Sequence, residues 1–288
     1  MKRITRFLGV LVITLLLTGC AFEKHNNKIY TTSYPITFIT TYLLGTDENV
    51  ESIYPNDTNP DKYILTKKLI KEYSSGKIFI YNGLSAEKEY AKKFVNTNSR
   101  LNIIDASENI KYEYNIRETW FSPNNFMMLV RNIKERLIEL STSQEEIKTI
   151  NANFKTLEQD ISNMDAYLRS VAKDATKNEK KPTIISANGD FKYLEDYGFE
   201  VISLEDNISD TNLATIKANF KNNNYENIIA FEGYENSELV ESLVNDCGAK
   251  IKYINPIFSL SNEDILKNET YITLMNSYIE TIKNIVTK

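Results

Sequence analysis

The sequence predicts an α/β protein of two lobes, each with a mainly parallel sheet flanked by helices, joined by one long helix. Three observations predict it. Short apolar runs alternate with amphipathic stretches from Lys28 to about Asp105, and the same alternation resumes after Pro182. Between them, Ser122 to Lys180 contains no glycine and a single proline, Pro123. Alternating β and α segments imply parallel β-α units, and a glycine-free stretch with apolar residues at helical spacing implies long helices.

In the first lobe "KIYTT", "VESIY", "KIFIYNG" and "LNIID" read as strands, with "ITFITTYLLG", "TKKLIKEYSS" and "EKEYAKKFV" as helices between them. Pro123 stands where a helix opens into "FMMLVRNIKERLIEL". Ser141-Thr142-Ser143 followed by Glu145 and Glu146 reads as an N-cap with an acidic first turn, so a second helix starts there. That helix, Gln144 to Asp174, is about 45 Å long at 1.5 Å per residue, enough to bridge two lobes. Beyond "KNEKKP" the strands are "TIISA", "FEVISL", "NIIAFEG" and "AKIKYIN", with helices near Asp190 to Tyr197, Thr211 to Asn222, Asn236 to Asp246 and Glu269 to Val286. No solenoid repeat is visible. The expected organisation is a signal peptide over 1–19, a tether over 20–27, an N-terminal lobe over 28–143, a linking helix over 144–176 and a C-terminal lobe over 177–288.

The leader carries a basic start, "MKRITR", an apolar run too short to span a bilayer comfortably, and a close in Leu17-Thr18-Gly19-Cys20. This close resembles a bacterial lipobox, which implies lipidation of Cys20 and a place on the extracytoplasmic face of the cell membrane. The alternative is a plain secretory signal in which Cys20 is incidental. Loss of Lys2, Arg3 and Arg6 with the leader takes the formal charge from −5 to −8, which argues against a nucleic-acid partner. With Cys20 lipidated, Cys247 stands alone, so stability rests on burial rather than on a disulfide.

The only histidine, His25, lies in the tether, so no Ser-His-Asp or Cys-His set can form in the folded part. The usual glycine-rich phosphate loops are absent. Ser170 and Lys173 match S-x-x-K, but mid-helix in a lysine-rich chain they read as surface. An enzyme is not expected.

The landmarks "IYTTSYPI", "IYPNDTNPDKYILT", "KIFIYNGLSAE", "ETWFSPNN", "SANGDFKYL", "FEGYENSEL" and "AKIKYINPI" come in an order and spacing that resemble the solute-binding lipoproteins of zinc and manganese ABC importers. The resemblance covers essentially the whole mature chain. It implies two α/β lobes with a long linking helix, a metal held between the lobes by strand-end loops, and a monomeric receptor that hands its solute to an ABC permease. Matched segment to segment, the family's ligand positions fall on Asp61, Glu118, Asn188 and Asn255, none of which is the usual residue. Pro60, Tyr63, Trp120, Phe191 and Pro256 around them are kept.

Two expectations follow from that set. If the four positions still converge, they form an all-oxygen site with charge −2, which prefers Mn²⁺ or Ca²⁺ over Zn²⁺. Asp57-x-Asn59-x-Asp61 adds oxygen nearby and starts like a calcium loop, but Lys62 stands where glycine is needed and Lys68 where the closing glutamate belongs. Alternatively the site holds no metal, because every imidazole is gone and Lys62 and Arg117 can neutralise the neighbouring carboxylates. Glu232, at a strand end, is a further candidate to line the cleft, or else a helix-capping or solvated carboxylate. Trp120 reads as core packing at a lobe edge, and Tyr63, Tyr81 and Tyr193 as half-buried residues or cleft lining. The rival function is a surface adhesin or interaction lipoprotein that keeps the fold without transport.

Overall fold

The computed structural model describes residues 26–110, 118–177 and 180–287. The leader, Cys20, His25 and Arg117 lie outside the described residues, as does the side chain of Asp61.

Two four-stranded sheets carry the architecture, and every pairing in them is parallel. In the first, β1 (Ile29–Thr31), β2 (Val50–Ser52), β3 (Ile78–Tyr81) and β4 (Asn102–Asp105) take the order β2-β1-β3-β4. In the second, β5 (Thr183–Ser186), β6 (Glu200–Ser203), β7 (Asn227–Phe231) and β8 (Lys250–Ile254) take the equivalent order β6-β5-β7-β8. The inner strands "IFIY" and "NIIAF" are nearly continuous apolar runs because a parallel sheet is covered on both faces. Period-two alternation then divides them: Tyr30 and Phe79 enter an outer cluster with Phe94, while Ile29, Ile78 and Ile80 enter the main core.

The helices are α1 (Tyr34–Leu44), α2 (Lys67–Ser74), α3 (Lys88–Thr97), α4 (Pro123–Leu140), α5 (Gln144–Ala175), α6 (Asp210–Lys221), α7 (Glu238–Cys247), α8 (Asn262–Leu266) and α9 (Tyr271–Val286). The Ser122 side chain accepts from the Asn125 N–H at the start of α4, and Ser143 from Glu146 at the start of α5, so the expected split at 141–143 is made by real caps. In α5, Ile150, Leu157, Ile161, Met164, Leu168, Val171 and Ala175 are buried at helical spacing. The helix packs against α1, α4 and α9. The main core is therefore one cluster running from Ile29 and Ile36 through Trp120 and Phe121 to Phe231, Met275 and Ile282. No boundary in the apolar packing separates the lobes. Ser170, within α5, turns its hydroxyl back to the Tyr167 carbonyl and has no catalytic setting.

Two elements differ from the sequence expectation. The segment Gly189–Tyr197 is a 3₁₀ helix: Phe191, Leu194 and Tyr197 bury at a period of three, the Asn188 side chain caps its start, and Gly198, at φ 102°, ends it. The short helix α8, which buries no residue, was not expected; a capping box between Ser261 and Asp264 makes it. Helices α7 and α9 begin two residues later than expected, at the residues that follow the capping Ser237 and Thr270.

Candidate functional site

In an open parallel sheet, ligands bind beyond the carboxyl ends of the strands, where the strand order reverses. The order of both sheets places that point between β1 and β3 in one lobe and between β5 and β7 in the other. Residues 31–33 and 82–87 leave the first point, and residues 187–188 and 232–234 leave the second.

A cavity of 220 Å³ opens between the loop after β2 in the first lobe and the loops after β7 and β8 in the second, beside the second switch point but not lined by the first. The loop after β2 supplies Asp57, Thr58 and Asn59, the loop after β7 supplies Glu232, Gly233 and Tyr234, and the loop after β8 supplies Asn255, Pro256 and Phe258. Gly233 has φ 84°, and a Cβ there would come within 3.8 Å of the Asn59 amide across the cleft. A larger surface groove of 390 Å³ lies by Ser74, Ser75 and Asn98 at the carboxyl ends of α2 and α3. It faces the amino ends of β3 and β4, away from the switch points.

The cleft is bridged. The Trp120 indole N–H donates to the Pro256 carbonyl at 3.0 Å, the Tyr34 N–H to the Phe258 carbonyl at 2.7 Å, and the Ser259 hydroxyl to the Thr58 carbonyl at 3.4 Å. Tyr271 donates to the Trp120 carbonyl at 2.5 Å. Held from both sides, the loop after β8 places Ile257 at φ 59°, a strained conformation for a β-branched residue. Backbone strain of this kind concentrates at functional loops.

The sequence candidates fall into different settings. Glu118 is fully buried, and its Oε1 accepts from the Tyr234 hydroxyl of the other lobe at 2.5 Å. The Asn255 side chain is exposed on the cavity wall, and its Oδ1 accepts from the Ile257 N–H at 2.8 Å. Asn188 Oδ1 accepts from the Asp190 N–H at 3.2 Å as the cap of the 3₁₀ helix. Both amide oxygens already serve the backbone, though a carbonyl oxygen retains a second lone pair. Glu232 is exposed on the cavity wall, which Asp57 also lines. Among the described residues, no three His, Cys, Asp or Glu side chains come together as a metal-holding group. Trp120 is core, 2% exposed. Tyr193 is buried with its hydroxyl 2.6 Å from that of Tyr278, and Tyr63 and Tyr81 pack into the outer cluster of the first sheet, so these three rings belong to the packing.

Beneath the first switch point lies a residue the sequence did not mark. Glu87 is buried, and its Oε2 accepts from the Asn82 N–H at 2.9 Å. Burial pushes its pKa up to about 7, against the opposing pull of that N–H. The Thr32 hydroxyl faces the same carboxyl from β1's end but outside hydrogen-bonding geometry, and its oxygen is buried without a partner. Asn82 in turn donates through its side chain to Thr119, the neighbour of Glu118, at 3.4 Å. The turn is shaped by Gly83, where a Cβ would meet the Asp105 carboxylate at 1.9 Å.

The family model described as ZnuA, zinc-uptake complex component A, periplasmic, matches residues 29–285. The chain belongs to this family. Its members are solute-binding receptors rather than enzymes, and they work with ABC permeases. The high-affinity zinc uptake system protein ZnuA of Bacillus subtilis strain 168 is 25% identical over 294 residues, covering 92% of this chain and 90% of that protein. The zinc-binding lipoprotein AdcA of Streptococcus pneumoniae strain R6 is 23% identical over 313 residues, covering 98% of this chain but only 61% of AdcA. In fold, the chain matches the crystal structure of the metal-dependent lipoprotein YcdH from Bacillus subtilis with a TM-score of 0.73 and 22% identity, over 91% of this chain and 100% of that one. The Zn(II)-bound ZnuA-like domain of S. pneumoniae AdcA matches with a TM-score of 0.70 and 23% identity, over 91% and 100%. ZnuA and AdcA are named for zinc and YcdH for metal dependence without a stated ion; none of the names supports a preference of the family for manganese or calcium.

Proposed function

We propose that this chain is an extracytoplasmic receptor that delivers a divalent cation to an ABC permease, and that it holds the cation in the interlobe cavity through oxygen donors. The family match over residues 29–285, with a cavity between the loops that follow β2 in one lobe and β7 and β8 in the other, carries the reading. Asp61, Glu118, Asn188 and Asn255 are the positions proposed to meet the cation, with Glu232 on the cavity wall. With no imidazole in the described residues, zinc loses the donor it favours, whereas Mn²⁺ and Ca²⁺ accept carboxylate and amide oxygen.

Calorimetric titration of chelator-treated protein with ZnCl₂, MnCl₂ and CaCl₂ tests this. The expected result is zinc binding on the order of 1 µM or weaker, manganese or calcium at least as tight as zinc, and loss of binding in Asp61→Ala and Glu118→Ala. Nanomolar zinc binding that survives both substitutions would refute the assigned donors.

The same reading places the protein on the membrane through lipid at Cys20. Cys20→Ala is expected to abolish labelling by a fatty-acid probe and to leave precursor or shed protein, since two acyl chains suffice for stable attachment. Continued labelling of the Cys20→Ala protein would remove the anchor.

A further inference from the structure

Tyr234 stands between the open cavity and the carboxylate that the cavity would use. It lines the cavity and is half-buried, whereas Glu118 behind it is fully buried. The two residues come from opposite lobes, 116 positions apart, and meet at 2.5 Å between the phenol oxygen and Oε1. The ring is set by its surroundings: Gly233, with its positive φ, turns the chain directly before it, and the Phe231 ring meets it edge-on at 6.4 Å. A phenol has one proton to give, and here it goes to the carboxylate.

We infer that Tyr234 is a positioning residue that acts as a latch, its phenol holding Glu118 closed against the second lobe so that a divalent cation entering the cavity must take Oε1 away from it. The inference rests on the reading of the cavity as a cation site. It adds that the affinity of that site is set by a hydroxyl outside the ligand positions, and that removing this hydroxyl strengthens binding. An ordinary structural role predicts the reverse, because loosening a site weakens it.

The test is Tyr234→Phe, which keeps the ring and removes the hydroxyl, titrated with MnCl₂, ZnCl₂ and CaCl₂ beside the unsubstituted protein and beside Glu118→Gln and the double variant. Manganese affinity is expected to rise about 10- to 100-fold in Tyr234→Phe, the range of one hydrogen bond to a charged group. The gain is expected to vanish when Glu118→Gln is present. Equal or weaker affinity in Tyr234→Phe overturns the latch, as does a gain that persists without the Glu118 carboxylate. If neither protein binds any of the three ions, the cation reading fails and the latch is decided in metal-free protein. Trp120, the only tryptophan, lies two residues from Glu118 with its N–H on Pro256 of the other lobe. A red shift of its emission in Tyr234→Phe then supports the latch, and an unchanged spectrum overturns it.

Discussion

Alanine at position 121 is expected to lower the unfolding free energy by about 3–5 kcal/mol, the cost of emptying a fully packed aromatic site. Phe121 has no exposed surface and lies 4.9 Å from the Phe231 ring of β7 and 5.0 Å from the Tyr278 ring of α9, centroid to centroid. It enters from the segment that leads into α4, so its ring joins both halves of the molecule in one cluster. Because that cluster is continuous, urea unfolding should remain a single transition in both proteins, with the midpoint displaced in the variant. Val95→Ala, at a 38% exposed position on α3, serves as the control and should stay within about 0.5 kcal/mol. Two separate transitions, or a loss below about 1 kcal/mol at Phe121, would contradict a shared core.

The second large effect depends on pH. Glu87 has a pKa pushed by burial from 4.5 to about 7. The folded state therefore holds this proton more tightly than the unfolded state does. The stabilisation it contributes is complete below pH 4.5 and declines as pH rises, levelling off once the folded-state pKa near 7 has been passed. Between pH 5 and pH 8 the decline amounts to about 2–3 kcal/mol. Other carboxylates titrate in both proteins, so the informative quantity is the stability of Glu87→Gln minus that of the unsubstituted protein. It should rise with pH by that amount. Parallel profiles from pH 5 to pH 8 would mean that the group is not buried as described.

Most of the fold was legible because the strands are short apolar runs with helices of clear period between them, and because Ser143 with Glu145 and Glu146 marks a helix start unambiguously. The 3₁₀ segment was not legible: over nine residues, periods of 3.0 and 3.6 both leave Phe191, Leu194 and Tyr197 on one side of the helix. Helix α8 buries nothing, so no apolar pattern announces it. The site was less readable still. Resemblance placed Glu118 and Asn255 by segment, but only the folded chain brings Tyr234 to Glu118 across 116 positions, and one tyrosine among 18 carries no signal by itself. Glu87 looks in sequence like an ordinary first-turn helix residue; what buries it is the turn built on Asn82, Gly83 and Asp105.

The edge strands of the two sheets are β2, β4, β6 and β8, and each carries charge, on β4 through Asp105. Glu51 stands in β2 and pairs with Lys28, Glu200 stands in β6, and β8 carries Lys250 and Lys252 with both side chains exposed. An uncovered parallel edge is a template for strand addition by a neighbouring chain, and charge on that edge is a common defence. At high concentration, copies of a chain can meet edge to edge. Opposite charge at the two ends of the second sheet, lysine on β8 and glutamate on β6, would still allow head-to-tail approach, whereas two copies meeting through the same β8 edge bring Lys252 to face like charge, Lys250 being paired with Glu226. Colloidal stability at high concentration thus draws on a few surface side chains that neither the core nor the cleft uses.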